Sequence, residues 1–293
     1  MGNSIFNELN AYANQQAGSD LLDESHFYDF RQNIYGGKMP LKFQQMFIAG
    51  DGHELVAKAC AVHSSSMLGY NFFHCIEQYP LSIEWEHGKT ITYNKVYFES
   101  KMAVLKGPKP ANMDVVLSNS NGDVLFIESK FLEYDKSQSF KLSPAYDEER
   151  NYYTHGNEWV DFITNLETNA SKQYWEGIKQ EICHLIAITN WMEQKTDIAE
   201  IPYNSLGDIR FINLVFEPNK EYAEHERYMS YKKLYETFHK TLAEKRMIPM
   251  DLHVQFMSYF EMWPFIAKVI PPELESYLYS HYMAFANPTY PTK

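Results

Sequence analysis

Pro110-Ala111-Asn112-Met113-Asp114-Val115-Val116-Leu117, then Ser118-Asn119-Ser120-Asn121-Gly122-Asp123, then Val124-Leu125-Phe126-Ile127-Glu128-Ser129-Lys130-Phe131 is the stretch on which the fold turns. Two apolar strands flank a polar turn. The first opens with an aspartate, and the second carries Glu-x-Lys. Alternate residues of a strand share a face, roughly 6–7 Å apart along the chain, so Glu128 and Lys130 project side by side. A carboxylate and an ammonium so placed can share one metal-bound phosphate, the minimum apparatus for metal-assisted phosphodiester hydrolysis. Val124, Phe126, Ile127 and Phe131 surround the pair, so the strand is expected to be buried on both faces. Desolvated charges are costly, which favours a functional cluster over a surface ion pair.

Asp114 depends on register. A tight hairpin over 118–123 pairs it with Ile127, on the face away from Glu128. A bulge, or a turn one residue longer or shorter, brings the two acids onto one face. The competing reading of Asp114 is a turn aspartate at a strand end. Glu99 and Lys101 repeat the Glu-x-Lys spacing one strand earlier, as a solvated edge or as extra metal ligands.

Outward from this hairpin, the chain reads as alternating blocks. Residues 1–50 are helical and loop segments broken by Gly36-Gly37 and Pro40. A long helix is expected from Asp51 to about Glu77, with Leu55, Ala59 and Val62 at helical spacing. Asp51-Gly52-His53-Glu54 has the form of a capping box, which by itself accounts for Glu54. Strands follow over Leu81–Glu86 and Thr90–Leu105, the latter with a break. After Lys130, helices are expected over Glu148–Leu166 and Ser171–Trp191, where Ile178, Ile182 and Ile186 fall at intervals of four. His184 reads as a core histidine of that helix. Ile209–Phe216 is a buried strand, Tyr222–Lys245 a tyrosine-rich helix, Leu252–Phe260 a late strand, and a short helix follows Pro271-Pro272. No Gly-x-Ser-x-Gly elbow surrounds His63-Ser64-Ser65-Ser66, so small hydroxyl residues there are read as close packing against a sheet. Neither repeats nor an interdomain linker interrupt the 293 residues. One α/β domain over 1–293 is expected, with a core at about 51–216 and helical segments at both ends.

The formal charge of −12 argues against a surface that grips nucleic acid everywhere, while leaving room for a local basic groove. Cys60, Cys75 and Cys183 form no C-x-x-C pair and leave an odd thiol, which fits a reducing cytoplasm rather than a disulfide scaffold. No run approaches 18 apolar residues and no signal peptide opens the chain, so neither a membrane nor an export route is expected.

The order helix, Asp strand, Glu-x-Lys strand, helix, later strand resembles the PD-(D/E)XK, or restriction-endonuclease-like, nuclease superfamily. The "PD" element is Asn112-Met113-Asp114 rather than Pro-Asp, and Glu128-Ser129-Lys130 is the "(D/E)XK". His53-Glu54-Leu55, His63-Ser64-Ser65-Ser66, Phe98-Glu99 and Pro110–Asp114 together look like a bacterial group described as restriction endonucleases. The resemblance implies a central mixed β-sheet flanked by helices, and cleavage of DNA in defence or repair. It implies Mg²⁺ or Mn²⁺ held by Asp114 and Glu128, with Lys130 orienting water or stabilising the transition state. Glu54 would be the helix acid beside the metal. Gln180 would be a supporting polar residue, with Gln173 as its rival. Cutting both strands calls for two active sites, hence an expected homodimer. The alternative is an inactive protein of the same fold that binds nucleic acid or a protein partner.

Overall fold

The computed structural model describes residues 4–17, 21–23, 25–50, 55–106, 110–133, 143–169, 175–198 and 201–286. The side chains of 17, 21–23, 87, 166–169 and 175–176 fall outside that description. In chain order, α1 (Ile5–Ala17), β1 (Leu21–Asp23), β2 (His26–Phe27), α2 (Leu41–Ala49) and α3 (Ser65–Phe73) precede the sheet. A hairpin of β3 (Leu81–Glu84) and β4 (Thr90–Tyr93) stands apart from it. Then come β5 (Lys95–Met102), β6 (Ala111–Ser118), β7 (Val124–Lys130), α4 (Ala145–Glu148), α5 (Gly156–Asn169) and α6 (Trp175–Met192). β8 (Ile209–Val215), α7 (Glu224–Lys245), β9 (Leu252–Ser258), α8 (Tyr259–Ala267), α9 (Pro272–Leu278) and α10 (Ala284–Ala286) complete the chain, with a π-helical turn at Tyr279–Met283.

Five strands make one mixed sheet in the order β5-β6-β7-β8-β9. The first two pairings are antiparallel and the last two parallel. β7 and β8 are buried at every position, as strands covered on both faces should be. On one face Val115 and Ser129 meet α3, where a Cβ on Gly69 would lie 3.2 Å from Val115 Cγ2. On the other face α6 covers Phe126, whose ring meets Trp191 edge-on at 5.5 Å. Tyr231 and Tyr235 of α7 pack on Phe256 of β9 on this same side.

The long helix expected from Asp51 to Glu77 is not there. Residues 51–54 lie outside the description, Lys58–Cys60 form one 3₁₀ turn, and α3 begins only at Ser65. The reason is local: the Ser64 hydroxyl accepts the Met67 amide and starts a new helix. The break expected within 90–105 falls at Asn94, between β4 and β5. Among the described residues, no helix is long and apolar enough to cross a membrane.

Candidate active site

The hairpin turn settles the register. Asn119 closes it: its side-chain oxygen accepts the amides of Asn121 and Asp123, and its amide donates to Asp123 Oδ2 at 2.7 Å. Gly122 supplies the positive φ of 90°. Ser118 therefore pairs with Val124 and Val115 with Ile127, a turn one residue shorter than the tight hairpin over 118–123. Continued by one position, Asp114 faces Glu128 across β6 and β7. On the other side, Phe98 pairs with Val115 and Ser100 with Met113, which places Glu99 opposite Asp114. In the parallel ladder Glu128 pairs with Asn213. Glu99, Asp114, Glu128 and Asn213 thus form one row across four strands.

The row holds three carboxylates from adjacent strands. Glu128 and Lys130 are almost wholly buried, and Lys130 Nζ donates to Glu128 Oε1 at 2.6 Å and to Gln180 Oε1 at 2.7 Å. His184 Nε2 stands 3.0 Å from the other Glu128 oxygen, Oε2. Asp114 Oδ2 accepts the Ser129 amide at 2.8 Å, and the regular ladder between β6 and β7 ends at Val115. Glu99 is buried at 6% exposure with φ of 50°, a left-handed conformation uncommon outside glycine. A Cβ on Gly50 would lie 3.1 Å from the Glu99 Cβ, so only glycine gives Glu99 this much room.

Electrostatics separates the acids. Burial pushes the Asp114 carboxyl well above the usual range, and the neighbouring Glu128 and Glu99 charges push the same way. Burial also opposes the Glu128 charge, but Lys130 and His184 outweigh it and hold that carboxyl far below its ordinary value. Lys130 loses solvation too, yet Glu128, Glu133 and Asp114 together raise it. Two carboxylates driven in opposite directions at one place is the pattern of a working site.

Carboxylate oxygens are the donors a hard divalent cation takes. A crowded, half-buried acid such as Asp114 is where added positive charge would be most favourable. Among the described residues, no three His, Cys, Asp or Glu side chains already close around a metal position; Glu128 is turned toward Lys130 and His184 instead. The donor chemistry suits such an ion, and a closed cage is not preformed.

The residues expected from sequence divide clearly. Asp114, Glu128, Lys130 and Gln180 come together, and Glu99 joins them at the centre. Its repeat partner Lys101 is exposed and pairs with Asn112. Glu54 and Gln173 lie outside the described residues. His184 is a buried core histidine, as expected, and from the core it also touches Glu128. Its position four residues after Gln180 on one helix is the signal that could have found it. Asn213, Glu181 and His239 carry no spacing that could mark them. Asn213 Nδ2 donates to Glu181 Oε2 at 2.9 Å, and His239 Nε2 meets Glu181 Oε1 at 2.5 Å.

Residues 41–283 match the family model described as restriction endonuclease associating with ARP. No curated protein and no solved structure matches the chain.

Proposed function

The chain belongs to the restriction endonuclease family associating with ARP, and from that premise we propose a metal-dependent nuclease that hydrolyses phosphodiester bonds, with DNA as substrate. The row of Glu99, Asp114 and Glu128 against Lys130 and Gln180 carries this reading. Asp114 and Glu128 would hold Mg²⁺ or Mn²⁺, and Glu99 would support them. Such an ion supplies charge neutralisation at the phosphate and acidifies a bound water. Lys130, held by Glu128 and Gln180, presents a fixed positive charge where negative charge builds on the phosphate. Gln180 accepts from Lys130 and so keeps the ammonium from swinging away. The aromatic floor of Phe126, Phe211 and Trp191 keeps bulk water from that side, which strengthens each interaction.

Cleavage of plasmid, linear, single-stranded and RNA substrates with Mg²⁺ or Mn²⁺ tests the proposal, using wild type, Glu128→Ala and Lys130→Ala. Metal-dependent cutting that vanishes in both variants is the expected result. Equal cutting by all three proteins would sink the assignment of this site. A second reading, a binding protein of this fold without turnover, is favoured by one observation. Both Glu128 oxygens already face a protein partner. Nucleic-acid binding without Mn²⁺ affinity would support it. The family description names an association with ARP, which we carry to this chain as a proposal; failure to co-purify with co-expressed ARP would count against it.

A further inference from the structure

We infer that His184 is a positioning residue of the hydrolytic site, fixing the plane of the Glu128 carboxylate through its Nε2. This rests on the nuclease reading above. Glu128 sits on a strand with neighbours on both sides, so its backbone is fixed while its carboxylate can still rotate about its terminal torsion. Lys130 holds one oxygen at 2.6 Å, which leaves that torsion free to pivot. His184 Nε2, 3.0 Å from the second oxygen, removes the pivot. With both oxygens engaged by protein groups, the outward lone pairs of the carboxylate keep a single orientation.

His184 is itself held. Its ring stacks on Phe211 of β8 with centroids 6.1 Å apart and planes at 28°. Among the described residues, no group hydrogen-bonds its buried Nδ1. Nε2, which meets Glu128 Oε2 at 3.0 Å, is therefore the ring atom through which His184 acts on the carboxylate. One turn earlier on α6, the fully buried Glu181 binds Asn213 of β8 and His239 of α7. That anchor sets the rotation of α6 about its own axis, and Gln180 and His184 follow it into the site.

Two substitutions separate positioning from packing. His184→Phe keeps the stack on Phe211 and removes Nε2; His184→Gln places an amide N–H near the position of Nε2. Mn²⁺ affinity by electron paramagnetic resonance, kcat and KM on a DNA substrate, and thermal midpoints are measured for both. Loss of an outer partner of this kind weakens metal affinity or turnover by about 10–100-fold. That loss is expected in His184→Phe, in kcat and Mn²⁺ affinity rather than KM, with most of it restored in His184→Gln. Equal values for wild type and His184→Phe overturn the inference, as does an equal loss in both variants. If the wild type binds Mn²⁺ but cuts nothing, the nuclease reading fails alone and the Mn²⁺ comparison still decides. If it neither binds nor cuts, both fall together.

Discussion

Lys130 keeps its charge in a place where a lone ammonium would not. Glu128 and Gln180 compensate it, so removing either ion leaves the other buried and alone. Lys130→Met is therefore expected to abolish cleavage and to destabilise by about 3 kcal/mol. The double variant Lys130→Met/Glu128→Gln should regain much of that stability and none of the cleavage, as read by urea unfolding beside a plasmid assay. Glu99 bears a different strain. A left-handed non-glycine residue costs on the order of 1 kcal/mol, so Glu99→Gly should be more stable than Glu99→Ala by that amount, with both losing Mn²⁺ affinity. Reversed order in their thermal midpoints would remove the strain argument. Glu128 and Lys130 are legible in the sequence because two charges interrupt an apolar strand. Asp114 is legible in identity but not in register, because the register depends on Asn119 shortening the turn. Glu99 shows only as a repeated spacing, since nothing local announces a positive φ at a glutamate.

At the scale of elements, α6 and α7 meet so closely that glycine is required between them. A Cβ on Gly177 would lie 2.3 Å from both the Tyr231 and Tyr235 hydroxyls. In an exposed helix Gly→Ala gains about 1 kcal/mol, but here overpacking costs about 1–3 kcal/mol. Gly177→Ala is expected to lower the thermal midpoint, and adding Tyr231→Phe and Tyr235→Phe should recover part of it. A raised midpoint in the single variant would show that the tyrosines yield freely. Helices with strong periodicity, α6 and α7 above all, can be read from spacing alone. α3 cannot, because Leu55, Ala59 and Val62 mimic a helix through residues where the chain in fact turns, and the Ser64 cap outranks that pattern. The β3–β4 hairpin is readable as strands, yet its place in the fold is not, because its partners lie far along the chain: Lys89 donates to Asp208 at 2.9 Å.

The molecule as a whole ties its first helix to its last. Tyr12 of α1 packs edge-on against Phe285 of α10 and against His281 in the turn before it, which stacks on Tyr277 of α9 at 3.7 Å. Burial depresses the His281 pKa to about 4, against a small opposing pull from the Tyr277 carbonyl. Well above pH 6.5 the ring is neutral folded or unfolded, and its full contribution is present. As pH falls toward 4 the unfolded chain takes the proton first, so stability should have dropped by about 2 kcal/mol at pH 5. His281→Phe should flatten that part of the stability profile; an unchanged slope would exclude this histidine as its source. We also propose that residues 1–293 act as one domain, so urea unfolding followed by tryptophan fluorescence and by circular dichroism should give coincident single transitions. Two separated transitions would divide the chain. The kink at Glu99 has a bearing on assembly too. β5 is the outermost strand on its side, and an outermost strand is an open invitation to another chain's backbone. A left-handed residue midway along it breaks the even row of outward amides and carbonyls. A sixth strand has no straight rail to zip onto, and the same distortion that aims a carboxylate inward protects the sheet from sticking to copies of itself.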